Sequence, residues 1–225
     1  MLSGHDAVPV GGQEPASAAS ALAEPSNKAN GVDQGHADSH ADSRARKHHI
    51  WLVTGPAGCG KTTVAEYLAD ALDMPYVEGD SFHSEANVDK MRSGVPLNDE
   101  DRWDWLTAIR DESMRRINRG SDGVVVTCSA LKRKYRDVIR VAAYYDHDVR
   151  VHVIFLNAPA EVLLQRVTLR QGHFMGANMV KSQFDILERP APDERDAVII
   201  DVSRSIEEVR QDTLARVLDM VKADG

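Results

Sequence analysis

From Ile50 onward the chain alternates short, continuous apolar runs with longer stretches in which apolar residues recur every three or four positions. The first run, Ile50-Trp51-Leu52-Val53-Thr54, is large, partly β-branched and stops at a glycine loop, the pattern of a strand covered on both faces. Val64, Ala65, Leu68, Ala69 and Leu72 then share one helical face. Pro75-Tyr76-Val77-Glu78-Gly79 is a weaker second strand. Residues 101–118 read as a helix with Trp105, Leu106, Ile109 and Ile117 on its apolar side. The third strand is Val124-Val125-Val126-Thr127-Cys128, followed by a helix from about Arg133 to Ala143 and a fourth strand from Val151 to Leu156. Pro159 suits the first turn of the next helix. Ala197-Val198-Ile199-Ile200-Asp201 is the fifth strand, and 206–222 a closing helix carrying Ile206, Val209, Leu214, Val217, Leu218 and Val221. Five apolar strands joined by helical crossovers predict an α/β fold, a parallel sheet with helices on both faces.

Residues 1–47 break this pattern. They contain no Phe, Tyr, Trp or Ile and are rich in Ala, Ser, Gly, Asp and His. Such a segment buries too little apolar surface to offset the entropy of ordering, so it is expected to be a disordered tail before a domain spanning 48–225. It lacks the apolar stretch of a signal peptide. Its six acids (Asp6, Glu14, Glu24, Asp33, Asp38 and Asp42) outnumber Lys28, Arg44, Arg46 and Lys47, unlike a mitochondrial presequence. The expected location is the cytoplasm. His5, His36 and His40 could chelate a metal, although a solvated polar tail is the plainer reading.

Charge and cysteine content narrow the function. Over 225 residues, 27 Lys+Arg against 35 Asp+Glu leave a net charge of -8, which argues against a nucleic-acid partner. Cys59 and Cys128 are the only cysteines, which excludes a disulfide scaffold and a four-cysteine zinc site. No run approaches the ~18 apolar residues of a membrane span, so no membrane partner is expected.

Gly55, Pro56, Ala57, Gly58, Cys59, Gly60, Lys61 and Thr62, with Thr63 behind them, match the G-x-x-x-x-G-K-[ST] phosphate loop between a strand and a helix. Glycines let backbone N–H groups turn toward phosphate oxygens, and the helix presents its positive end to the same anions. Lys61 can bridge the β- and γ-phosphates of ATP, and the Thr62 hydroxyl can ligate the accompanying Mg2+. Cys59 is read as a small residue whose backbone matters, rather than as a reactive thiol. No N-K-x-D guanine-reading motif occurs, and the chain is short for a motor ATPase, which points to a small-molecule kinase.

Acceptor-side candidates fall at the carboxyl ends of the strands, where parallel sheets hold ligands. Asp80 can accept the proton of an attacking hydroxyl or hold Mg2+ through water. His83, Asn87 and Lys90 are spaced to share a face toward a polyhydroxy substrate, and Arg102 can pair with a substrate carboxylate. Lys132 and Arg136, one turn apart after the third strand, can face an anion. Arg166 and Arg170 run into a glycine-flanked segment read as a mobile lid over about 166–180; there they would neutralise the transferring phosphoryl group. His173 joins the substrate-binding candidates.

These stretches together resemble the gluconokinase family, shikimate-kinase-like P-loop kinases. The matching segments are GPAGCGKTT, EGDSFHSEANVDKMRSGVPLNDEDRWDWL, TCSALKRKYRDVIR, LRQGHFMGANMVKSQFDILERP and IIDVS, in family order across most of 50–201. Ser84, Asp104 and Ser205 stand where the family commonly has proline. The resemblance implies a three-layer fold with a five-stranded parallel sheet in the order 2-3-1-4-5, a substrate-binding region over about 80–118, and often a homodimer. It implies transfer from ATP, with Mg2+, to D-gluconate; the product, 6-phospho-D-gluconate, feeds the pentose phosphate pathway. Phosphorylation of shikimate, a nucleoside monophosphate or another sugar acid stays open at this point, as does a nucleotide-binding regulator without transfer activity.

Overall fold

The computed structural model describes residues 47–169 and 177–224; residues 1–46 of the expected tail, Arg170 and His173 lie outside them. The strands are β1 (His48–Thr54), β2 (Tyr76–Glu78), β3 (Gly123–Thr127), β4 (Val149–Asn157) and β5 (Ala197–Asp201). All pair in parallel, in the order β2-β3-β1-β4-β5, as expected. The helices are α1 (Lys61–Leu72), α2 (Glu85–Arg92), α3 (Glu100–Asn118), α4 (Arg133–Tyr145), α5 (Ala160–Leu169), α6 (Ala177–Asp185) and α7 (Ile206–Asp224).

Side chains alternate across the strands and build two cores. Ile50, Leu52, Val124 and Val126 face α3 and α4, where Leu106, Ile109, Tyr135 and Ile139 are buried. Trp51, Val53 and Val125 face α1 and α7, against Val64, Leu68, Val209 and Val217. Two expectations need correction. Among the described residues β5 pairs only with β4 and forms the sheet edge, and its Ile199 is about half exposed rather than buried. On α7 the buried row is Val209, Thr213 and Val217, each four residues apart; Ile206 and Leu218 lie off that row and are exposed.

Two of the proline departures are helix caps. Ser84 accepts a hydrogen bond from Asn87 N–H at the start of α2. Ser205 and Glu208 exchange side-chain-to-backbone bonds in a capping box that opens α7. Gly79 is required where β2 turns into a short 3-10 turn (Gly79–Phe82), because a Cβ there would meet Thr127 O at 2.0 Å. Among the described residues no helix is long and apolar enough to cross a membrane.

Candidate active site

The loop after β1 reaches α1 through Gly60, which takes the left-handed conformation at φ 91°. No side chain caps α1, so its first-turn amides are left to an anion. Cys59 is buried, and burial pushes its thiol up, which keeps it neutral and unreactive. Lys61 follows Gly60 at the start of α1 and is poised to turn toward phosphate oxygens. Its Nζ folds back and donates to the carbonyls of Gly55 at 3.0 Å and Pro56 at 3.2 Å, because these are acceptors within reach of an ammonium with three donors.

Thr62 Oγ1 donates to Glu78 Oε2 at 3.3 Å. Glu78 also accepts from the Tyr76 hydroxyl, from Thr127 Oγ1 at 2.6 Å and from Asp80 N–H at 3.5 Å. Burial, then the bond to Glu78, pushes the Tyr76 phenol up, so it remains a donor. The sequence reading passed over Glu78 as a strand residue; its signal was the spacing Glu78-Gly79-Asp80 at a strand end. Thr62, Glu78 and Asp80 offer only oxygen donors, a set suited to a hard divalent cation that keeps several waters.

Asp80 and Lys61 line one cavity of about 270 Å³, together with His83, Arg102, Trp105 and Ser129. His83 stacks on Trp105, with centroids 4.1 Å apart, and its Nε2 lies 4.0 Å from Asp80 Oδ1. Burial holds His83 below its ordinary value, so the ring is neutral. Trp105 is fixed in turn by its Nε1–H donating to Gly79 O at 2.7 Å. Arg102 donates to the carbonyls of Leu97 and Asn98 and lies 5.3 Å from the centroid of the Tyr135 ring. The flanking carboxylates are engaged elsewhere. Asp101 pairs with Lys90 at 2.5 Å, and Asp99 takes Lys134, Tyr135 and Lys132, which hold its carboxyl well below the usual range.

Several expected substrate contacts are structural. Asn87 is buried and donates to Asp101 O at 2.6 Å, joining α2 to α3. Lys90 is taken by Asp101, and the α2 residue that reaches the cavity is Met91. Arg136 is fully buried in a bidentate pair with Glu194 at 2.8 and 2.6 Å and donates to Glu188 O, so it cannot hold the sugar acid. Lys132 lies with Arg102 on a shallow adjoining depression rather than in the cavity itself. The sequence reading missed α6: Ser182, Gln183, Asp185 and Ile186, on α6 and just after it, line the cavity. On the other side of the loop, Arg166 donates to Val202 O at 2.8 Å and borders a second pocket of about 250 Å³ with Gly60, Val202, Arg204 and Ile206.

Known proteins are similar to the chain in sequence and fold. A family model described as an AAA domain matches residues 50–190. A probable gluconokinase of Schizosaccharomyces pombe is 42% identical over 174 residues, 77% of this chain and 90% of that protein. The thermosensitive gluconokinase of Escherichia coli is 38% identical over 168 residues, 75% of this chain and 87% of that protein. The crystal structure of a gluconokinase from Sinorhizobium meliloti 1021 is similar at a TM-score of 0.69 and 37% identity, covering 80% of this chain and 97% of the other. An APS kinase of Mycobacterium tuberculosis, 20% identical at a TM-score of 0.51, shares the fold alone. With these relatives matched along nearly their whole length, the chain belongs to the gluconokinase family of P-loop kinases.

Proposed function

We propose that the protein transfers the γ-phosphoryl group of ATP to the terminal hydroxyl of D-gluconate, giving ADP and 6-phospho-D-gluconate. The observation that carries this reading is the single cavity into which Lys61 of the phosphate loop, Asp80 and Arg102 all open. It offers a phosphoryl-side cation, a base and a carboxylate-binding cation in one enclosure.

In this reading Lys61 leaves its loop carbonyls for the phosphate oxygens and offsets the charge that moves to the leaving oxygen. Asp80 orients the attacking hydroxyl and takes its proton. Arg102 holds the gluconate carboxylate at the far end, and His83, neutral and stacked on Trp105, offers a hydrogen bond to the sugar hydroxyls. In this reading the adenine side takes the pocket bordered by Val202 and Arg204; Arg166, expected at the transferring phosphoryl group, borders that pocket instead. Thr62, Glu78 and Asp80 would hold Mg2+, which when bound neutralises phosphate charge. A cytoplasmic homodimer is part of the same proposal.

The test is ADP release by the purified chain, coupled to a visible reporter, with gluconate, other sugar acids, shikimate and nucleoside monophosphates offered in parallel. Release that depends on gluconate and is lost in Lys61→Ala supports the reading. A stronger response to another acceptor, or release indifferent to every acceptor, overturns it.

A further inference from the structure

Away from the phosphate loop, His49 on β1, His152 on β4 and Asp224 at the end of α7 converge on one point. His49 lies five residues before Thr54, roughly 17 Å along the strand at 3.3 Å per residue. His49 Nδ1 and His152 Nε2 are 3.0 Å apart, His152 Nε2 and Asp224 Oδ2 3.1 Å, and His49 Nδ1 and Asp224 Oδ2 3.9 Å. We infer that these three residues bind one divalent first-row transition-metal ion of the zinc type, at a site separate from the kinase centre.

Geometry and donor chemistry both lead there. An ion held tetrahedrally at about 2.0–2.1 Å from each ligand sets its ligand atoms about 3.3–3.4 Å apart, and the three observed separations bracket that value. Two imidazole nitrogens and one carboxylate oxygen suit zinc and its neighbours rather than Mg2+, which prefers oxygen alone. Hydrogen bonding by itself does not satisfy the cluster. One proton fits between the two facing ring nitrogens. If His152 Nε2 donates it to His49 Nδ1, Asp224 Oδ2 receives nothing; if His49 donates it, the Nε2 lone pair of His152 faces the carboxylate. Asp224 Oδ2 is indeed a buried oxygen without a hydrogen-bond partner among the described residues. A metal ion takes all three lone pairs at once.

The surroundings hold the ligands ready. Both rings are buried. Trp51, in register with His152 across the β1–β4 pair, stacks on that ring at 4.2 Å and on His49 at 5.5 Å, fixing their planes. Arg150 and His48 oppose a cation here, while Asp196 favours it. The α7 C-terminus adds its partial negative charge on the favourable side. Asp224 keeps a quarter of its side chain exposed, so water can complete the coordination. Such an ion would tie the sheet to the last turn of α7 and stabilise the fold without touching the chemistry.

The experiment uses the tag-free full chain, stripped with a chelator and titrated with zinc chloride by calorimetry, beside Asp224→Asn and His152→Gln. Asp224→Asn alters a part-exposed side chain at a helix end, so the fold survives, as circular dichroism checks. One zinc ion per chain is expected for the wild type, with binding weakened by at least roughly tenfold in each variant, the lower bound seen when even an outer-shell partner is lost. Zinc should raise the melting temperature of the wild type alone, and Co2+ should give the visible absorption of a tetrahedral site only there. Turnover of gluconate without zinc should be the same in the wild type and Asp224→Asn. Equal zinc uptake by all three proteins would move binding elsewhere, to the tail histidines for example, and overturn the proposal; so would no uptake by the wild type.

Discussion

Gln183 of α6 accepts a hydrogen bond from the backbone N–H of Ala57, in the phosphate loop, across 2.7 Å. The same side chain is buried and lines the acceptor cavity beside Lys61. One amide therefore sets the position of the loop relative to the cavity. Gln183→Leu leaves Ala57 N–H without this acceptor at a cost of about 1–3 kcal/mol. Gluconate turnover should fall on the order of tenfold, and Gln183→Glu, which keeps an acceptor oxygen, should recover part of it. A variant that melts lower yet keeps the wild-type kcat and KM would make Gln183 a packing residue only.

Glu78 gives the second prediction. Its carboxylate binds Thr62, Tyr76 and Thr127 and so stands beside the hydroxyl expected to ligate Mg2+. Glu78→Gln should raise the Mg2+ concentration needed for half-maximal rate by roughly tenfold or more, in line with the loss of a metal's supporting partner. Rates measured across a Mg2+ series at fixed ATP decide this. An unchanged Mg2+ dependence would reduce Glu78 to a strut between β2 and β3.

How legible such residues were depended on whether the relevant partner was local. The central strands β1, β3 and β4 could be read because both faces are covered, and Gly60-Lys61-Thr62 because the loop is contiguous. Arg102 and Arg136 look alike in sequence, each a basic residue in the first turn of a helix. Their fates diverge through partners far along the chain. Glu194, 58 residues away, draws Arg136 into the core, whereas Arg102 is held by nearby carbonyls and keeps to the cavity. Asn87 was misread for the same reason: its partner, Asp101 O, belongs to another helix. α6 escaped notice because its polar cavity-facing residues carry no apolar period.

The Arg136–Glu194 pair makes a prediction about stability. Burial acts to raise the Glu194 carboxyl, but hydrogen bonds from Arg136 and Arg140 outweigh it and hold the group at about 2. The folded value lies below the ordinary 4.5, so the contribution is fully present above 4.5 and is lost as pH falls toward about 2. Arg136→Ala should cost about 3–5 kcal/mol, the range for breaking a buried pair. It should also flatten the loss of stability over that acid window. Urea unfolding at neutral pH and within the window checks both. The KM for gluconate of the folded variant should stay near wild type; a large rise would return Arg136 to the substrate.

Arg102 carries the sharpest prediction about specificity. Gluconate has one charge, its carboxylate, and needs one cation at the end of the cavity away from Lys61. Lys90 and Lys132 are each paired with a carboxylate, and Arg136 is sealed in the core. Arg102 is different: its guanidinium rests on the Leu97 and Asn98 carbonyls and on the Tyr135 ring, with further donors available for a two-pronged bond. Arg102→Ala should therefore weaken gluconate use by about 2–5 kcal/mol in kcat/KM, the range for truncating one partner of a buried charge pair. Arg102→Lys should recover only part, because an ammonium cannot supply the forked geometry. ATP affinity measured without gluconate should hardly change, since the Arg102 contacts lie on the acceptor side of the loop. An equal loss for both ligands would mean that Arg102 supports the Leu97–Asn98 turn and the loop beyond it. No loss for gluconate would pass the carboxylate to Lys132, the neighbouring cation on the same depression.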